Sequence, residues 1–196
     1  MPHDDASYTG LRLDEKAVRV LAHPLRSRIL SRLRLHGPAT ATELATALVT
    51  NTGATSYHLR ALEGVGLVTD TGDGVGKRRV WRASTEFHSW VSSDFAHDDD
   101  AQTALGWLER DYVRQFAHRA EAWLDAQHHW PAEWVDRLGL SDSVVTVTPE
   151  QAEAMAGEVS AVIARYRTAG EGDERARRVF VVVHTSPVDP ASVLPE

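Results

Sequence analysis

The chain has 196 residues, 42% hydrophobic and 25% charged, with a formal net charge of −7, enough for one sizeable core or two small ones. It has no cysteine, which excludes disulfides, iron–sulfur clusters, thiolate nucleophiles and thiolate metal sites. No apolar run reaches about eighteen residues, and "MPHDDASYTG" lacks the basic-then-apolar order of a secretory signal, so the expectation is a cytoplasmic protein with no membrane partner.

From Asp14 onward the pattern is a succession of short amphipathic helices. In "LAHPLRSRILSRLRLHG", Pro24 suits a first helical position, Leu25, Ile29, Leu30 and Leu33 form an apolar stripe, and Gly37 suits the stop. Arg26, Arg28, Arg32 and Arg34 form a solvated outer face, from which Arg26 is the candidate to reach a phosphate. Next, Thr40 and Glu43 have the spacing of a reciprocal capping box, predicting a helix over 41–48. Asn51 is a good N-cap for a second helix over 52–64. Two short helices joined by a tight turn have the helix-turn-helix layout.

The following "GLVTDTGDGVGKRRVWRAS" predicts a strand over 67–71, a glycine-rich turn over 72–76 and a strand over 77–82, which together make a wing. Lys77, Arg78 and Arg79 sit just past its tip, where they can meet a sugar–phosphate rail. Basic residues also guard edge strands against aggregation, and that reading stands beside the first. Residues 1–83 hold 12 Lys and Arg against 8 Asp and Glu, a balance of +4, whereas residues 84–196 hold 9 against 20, a balance of −11. The acidity thus belongs to the second half, and the first can neutralise phosphates locally.

The runs "LAHPLRSRIL", "TELATAL" and "SYHLRALEGVGLV", followed by the basic wing, resemble in order and spacing the winged-helix domain of the ArsR family of bacterial transcriptional repressors. The likeness covers residues 14–83. It implies a homodimer that binds a double-stranded DNA operator and is switched by a ligand, here a non-thiol effector for which a small molecule is the candidate. The chain departs from the pattern at Val49, where glycine is common, at Thr50 and Thr55, where aliphatic residues are common, and at Gly53 inside the first helical turn.

The helical period assigns faces to 52–64. Thr55, Leu59 and Leu62 point into the core with His58 at the border, and Thr52, Ser56, Tyr57 and Arg60 lie opposite as candidate DNA contacts. Arg60 suits a guanine edge or a phosphate, Thr52 and Ser56 a phosphate or base edge, and Tyr57 a sugar or thymine methyl.

Residues 84–100 change abruptly to serines and aspartates without a period and read as a linker, with Phe87, Trp90 and Phe95 tacked onto a neighbouring surface. A long helix follows from Gln102 to about His129, with Leu105, Leu108, Tyr112, Phe116, Ala120 and Trp123 as its stripe. In the resembled family, a helix after the wing pairs with the N-terminal helix to build the dimer. Further on, Thr148, Pro149 and Gln151 begin a helix whose expected buried stripe is Met155, Val159, Val162, Ile163 and Tyr166. The β-branched runs over 143–147 and 179–183 flank it and predict a β-α-β unit.

Two constellations could carry chemistry. His118, Glu121, Asp125 and His128 have metal-ligand spacing along a helix face, although a solvated polar face explains them without a metal and no metal site is favoured. Trp107, Tyr112, Trp123 and Trp130, with Phe116 and Trp134 nearby, could line an apolar ligand pocket or form a core and dimer interface.

No glycine-rich phosphate loop, nucleophile elbow or histidine–glutamate–histidine zinc motif is present, so neither an enzyme nor a cofactor is expected. The expected fold is mainly α with a small β component: an N-terminal winged helix-turn-helix, a long helix and a small α/β C-terminal module. The expected organisation is a tail over 1–13, the DNA-binding domain over 14–84, the linker over 85–100 and a dimerisation or effector-sensing domain over 101–196. The other class of function is a protein-interaction module on a winged-helix scaffold that no longer binds DNA.

Overall fold

A computed structural model describes residues 10–76 and 78–191. It is mainly helical with a small β component, beginning with a winged helix-turn-helix. The chain divides into two units, one through His118 and one from Arg119.

In the first unit, short local signals set the helix ends. Asp14 accepts the Ala17 N–H at 2.7 Å to begin α1 (Glu15–Leu21). His23 Nδ1 accepts the Leu25 N–H at 3.1 Å, and Pro24 takes the first position of α2 (Pro24–His36), which Gly37 ends with φ +84. Thr40 and Glu43 form the expected capping box of α3 (Ala41–Ala47), and Asn51 caps α4 (Thr52–Glu63). A three-stranded antiparallel sheet is ordered β2 (Ala39–Thr40), β4 (Val80–Ala83), β3 (Val68–Asp70), with Asp70 and Ala39 both opposite Trp81. The buried side chains of Leu21, Ile29, Leu30, Leu44, Leu59, Leu62, Leu67 and Trp81 join these elements in one core.

The stretch read as a linker is folded onto this unit. β5 (His88–Ser89) pairs in parallel with β1 (Leu11–Arg12), a 3-10 turn spans Ser92–Phe95, and Phe95 is 1% exposed. The helix expected from Gln102 starts earlier, as α5 (Asp99–Ala126), and buries Ala101, Leu105 and Leu108.

Two polar clusters fasten α2 to the first half of α5. Ser27 Oγ donates to Asp111 Oδ2 at 2.7 Å, and the Gln115 amide donates to both, at 2.7 and 2.6 Å. Arg34 Nε donates to the Thr85 carbonyl at 3.0 Å, and a second Arg34 nitrogen donates to His88 Nδ1 at 2.7 Å. Arginine has no acceptor, so His88 carries its proton on Nε2 and donates it to the Tyr112 oxygen 2.6 Å away. Burial, aided by the Arg34 charge, pushes His88 down to about 3 from its ordinary 6.5. Burial also lowers Arg34 to about 10 and raises the Tyr112 phenol.

The second unit contains the end of α5, a 3-10 turn at Gln127–His129, α6 (Ala132–Val135) and α7 (Pro149–Tyr166). Thr148 and Gln151 form the expected capping box. The flanking strands do not form. Residues 143–147 and 179–183 have no regular structure and make no backbone–backbone hydrogen bond among the described residues. Neither is the expected α7 stripe buried: Met155, Val159 and Ile163 are half-buried, while Val162 and Tyr166 are 44% and 72% exposed. One cause accounts for both features. β propensity measures fit to a paired, half-covered surface, and without a ladder there is no sheet for the helix stripe to cover.

The His88 cluster makes stability depend on pH. The folded chain resists protonating this imidazole, so its contribution is whole above pH 6.5 and is lost as pH falls from 6.5 toward 3. Urea unfolding of wild type should show about 2 kcal/mol less stability from this group at pH 5 than at pH 7.5. His88→Gln should shrink the pH response; an identical response in both proteins would sink the assignment.

Candidate nucleic-acid interface

The geometry between α3 and α4 is set by the backbone. The Thr50 N–H donates to the Ala45 carbonyl at 2.9 Å and the Val49 N–H to the Thr46 carbonyl at 3.3 Å, the paired bonds of a Schellman cap. That cap needs a left-handed residue after the helix, and Val49 occupies it with φ +53 while 92% exposed. A β-branched residue is strained there. The Asn51 cap that follows accepts the Ala54 N–H at 2.8 Å. A Cβ at position 53 would stand 3.3 Å from that same Asn51 oxygen, so Gly53 leaves the cap room.

Thr55, Leu59 and Leu62 are each 0% exposed, and His58 is 9% exposed. Thr55 Oγ1 donates to the Asn51 carbonyl at 3.0 Å, so a hydroxyl where aliphatic residues are common leaves no buried donor unsatisfied. With this face fixed inward, Thr52, Ser56 and Arg60 line a cleft of about 280 Å³ between α4 and the wing. Its other walls are Thr40, Ala41, Thr42, Arg78, Arg79 and Trp81. Five of the sequence candidates therefore meet in one place. Tyr57 stands beside the cleft, 62% exposed, its ring edge-on to His58 at 5.2 Å. Lys77 lies outside the described residues.

Carboxylates surround the wing arginines, a feature that sequence reasoning missed. Arg78 lies 4.0 Å from Glu43, and Arg79 lies 3.4 Å from Asp70 and 3.8 Å from Glu63. The Arg79 guanidinium also sits over the Trp81 ring at 5.6 Å. These arginines are more than half exposed, so the pairs contribute at most about 1 kcal/mol each and yield readily to a stronger anion. Arg60 is exposed and makes no side-chain hydrogen bond or ion pair among the described residues. The missed carboxylates are up to 35 positions from the arginines they meet, beyond the reach of local spacing.

Arg26 joins three helices instead of lining the cleft. Its Nε donates to His58 Nδ1 at 3.2 Å, and another nitrogen donates to the Val20 carbonyl at 2.9 Å. His23 and His58 stack with centroids 4.4 Å apart. Burial first, and then neighbouring positive charge, lowers the pKa of both. Each uses Nδ1 as an acceptor and so is neutral in this arrangement.

The candidate metal residues His118, Glu121, Asp125 and His128 are all exposed or half-exposed, and no group of three or more His, Asp or Glu side chains able to hold a metal occurs among the described residues. The aromatic candidates fall into two pairs. In the first unit, Trp107 packs against the core beneath the Arg114 guanidinium, and Tyr112 bonds His88. In the second, Trp123 meets Trp130 edge-on at 5.6 Å, and Trp130 meets Trp134 at 6.2 Å.

Residues 21–71 match a family model described as a helix-turn-helix domain. The chain carries a helix-turn-helix domain, and this favours DNA-binding regulation over enzymatic work. The match runs from the end of α1 to the first wing strand and takes in α2, α3 and α4. No curated protein matches the chain. No helix among the described residues is long and apolar enough to cross a membrane.

The turn of the helix-turn-helix domain yields a direct test. A left-handed conformation costs a non-glycine residue about 1–2 kcal/mol, and glycine's extra chain entropy returns roughly 0.5–1 of that. Val49→Gly should raise stability by up to ~1 kcal/mol and the melting temperature by a few degrees, read by circular dichroism. A lower melting temperature would show that Val49 makes a stabilising contact which outweighs its strain.

Proposed function

We propose that this protein is a cytoplasmic, dimeric, operator-binding transcriptional repressor of the ArsR type, with residues 14–84 as its DNA-binding domain. The observation that carries the reading is the convergence of Thr52, Ser56, Arg60, Arg78 and Arg79 on one cleft between the exposed face of α4 and the wing. An α-helix face of this kind fits the major groove, where arginine takes a guanine edge bidentately and hydroxyls bond base edges or phosphates. A basic wing fits the adjacent backbone. Thr52, Ser56, Tyr57 and Arg60 are assigned to the groove and Lys77, Arg78 and Arg79 to the phosphates. Arg26 is assigned to positioning α4 through His58.

Repression, dimerisation and control by a small-molecule effector are proposed from the resemblance over residues 14–83. The remainder of the chain, acidic by eleven charges after residue 83, is assigned to dimerisation and effector sensing. Its negative charge restrains indiscriminate attachment to nucleic acid.

Gel shift with the protein's own promoter region tests the DNA reading. Arg60→Ala should weaken operator binding by about 10- to 100-fold and reduce discrimination against unrelated DNA. Arg78→Ala should weaken both complexes alike and lower the salt slope by about one. Full binding by the double variant would refute the contact assignment; absence of binding by wild type would favour a protein-interaction role for the scaffold.

A further inference from the structure

We infer that residues 143–147 and 179–183 form a dimer interface by strand addition, with 143–147 of one copy pairing in parallel with 179–183 of another. The inference rests on the dimer proposed above and assigns residues to it. Both runs are dense in β-branched residues, and neither makes a backbone–backbone hydrogen bond among the described residues. Val144 and Val145 are 78% and 56% exposed, and every member of 179–183 is between 40% and 55% exposed.

Three features choose a second copy as the occupant. First, "VFVVV" is apolar at every position, the pattern of a strand covered on both faces; within one chain its members stay 40–55% exposed although the Arg119 guanidinium of α5 lies over the Phe180 ring at 4.4 Å and α7 lies between the two runs. Secondly, two runs make only a two-stranded ribbon, which is marginal alone, whereas two copies bring four strands and a second α7. Thirdly, neither run contains a charge or proline, the usual guards of a solvent-facing edge. Parallel alignment of 143–147 with 179–183 also sets Asp142 beside Arg178, opposite charges level with each other at the mouth of the ladder.

The absence of cysteine makes this directly testable, because only introduced thiols react. Ser141→Cys and Arg177→Cys stand one step outside the aligned charges, at exposed positions, and leave both runs intact. The two single variants, mixed after partial unfolding and refolding and then treated with a short bismaleimide, should give a covalent dimer linked 141 to 177. In the double variant the same link should join two chains. A link within one chain in the double variant would overturn the inference in favour of an internal β-α-β unit, and no link would overturn it as well. Native mass spectrometry separates the two levels of failure: a dimeric wild type without the 141–177 link defeats only this interface, whereas a monomeric wild type defeats the dimer itself. Gel shift reports on DNA binding independently of both.

Discussion

The burial of one face of α4 is the constraint on which the candidate interface depends. Leu59 and Leu62 are locked into the core with Thr55, so the rotation of the helix about its axis is fixed by apolar contact rather than by anything on its outer surface. Each fully buried leucine contributes about 1.5–3 kcal/mol, far more than an exposed ion pair at the wing. The outward direction of Thr52, Ser56 and Arg60 is therefore inherited from the core. His58 extends the same logic into polar contacts: through Arg26 it links the helix to α2 and to the end of α1.

The two clusters between α2 and α5 hold the other side of that core with hydrogen bonds in place of additional apolar area. Arg34 keeps its charge although burial lowers its pKa, and its stability there depends on the Thr85 carbonyl and a neutral His88. A half-satisfied buried network is costly. The tautomer of one histidine thus ties together α2, β5 and α5, three elements far apart in the chain.

Much of the helix-turn-helix was legible because its signals are local. Pro24, Gly37, the Thr40 and Glu43 box and the Asn51 cap each act within a few residues, and the structure uses all of them. What was not legible depends on distant partners. The pairing of β1 with β5 brings Leu11 to His88, and nothing in residues 84–100 taken alone announces it, so the segment read as a linker. The β-branched runs failed in the opposite direction: composition suited a strand, but a strand exists only with a ladder. At the interface, the period of α4 located its inner and outer faces, while the carboxylates around Arg78 and Arg79 come from three different elements.

The Schellman cap at Val49 also bears on how such domains are told apart from their sequences. The turn is held by two backbone bonds, from Thr50 to Ala45 and from Val49 to Thr46, and no side chain takes part in either. A residue other than glycine can thus occupy that position at a modest energetic cost while the same two backbone bonds still close the turn. A search pattern that demands glycine in the turn would pass over this chain, and its relatives should be sought by the spacing of the caps and buried leucines on either side.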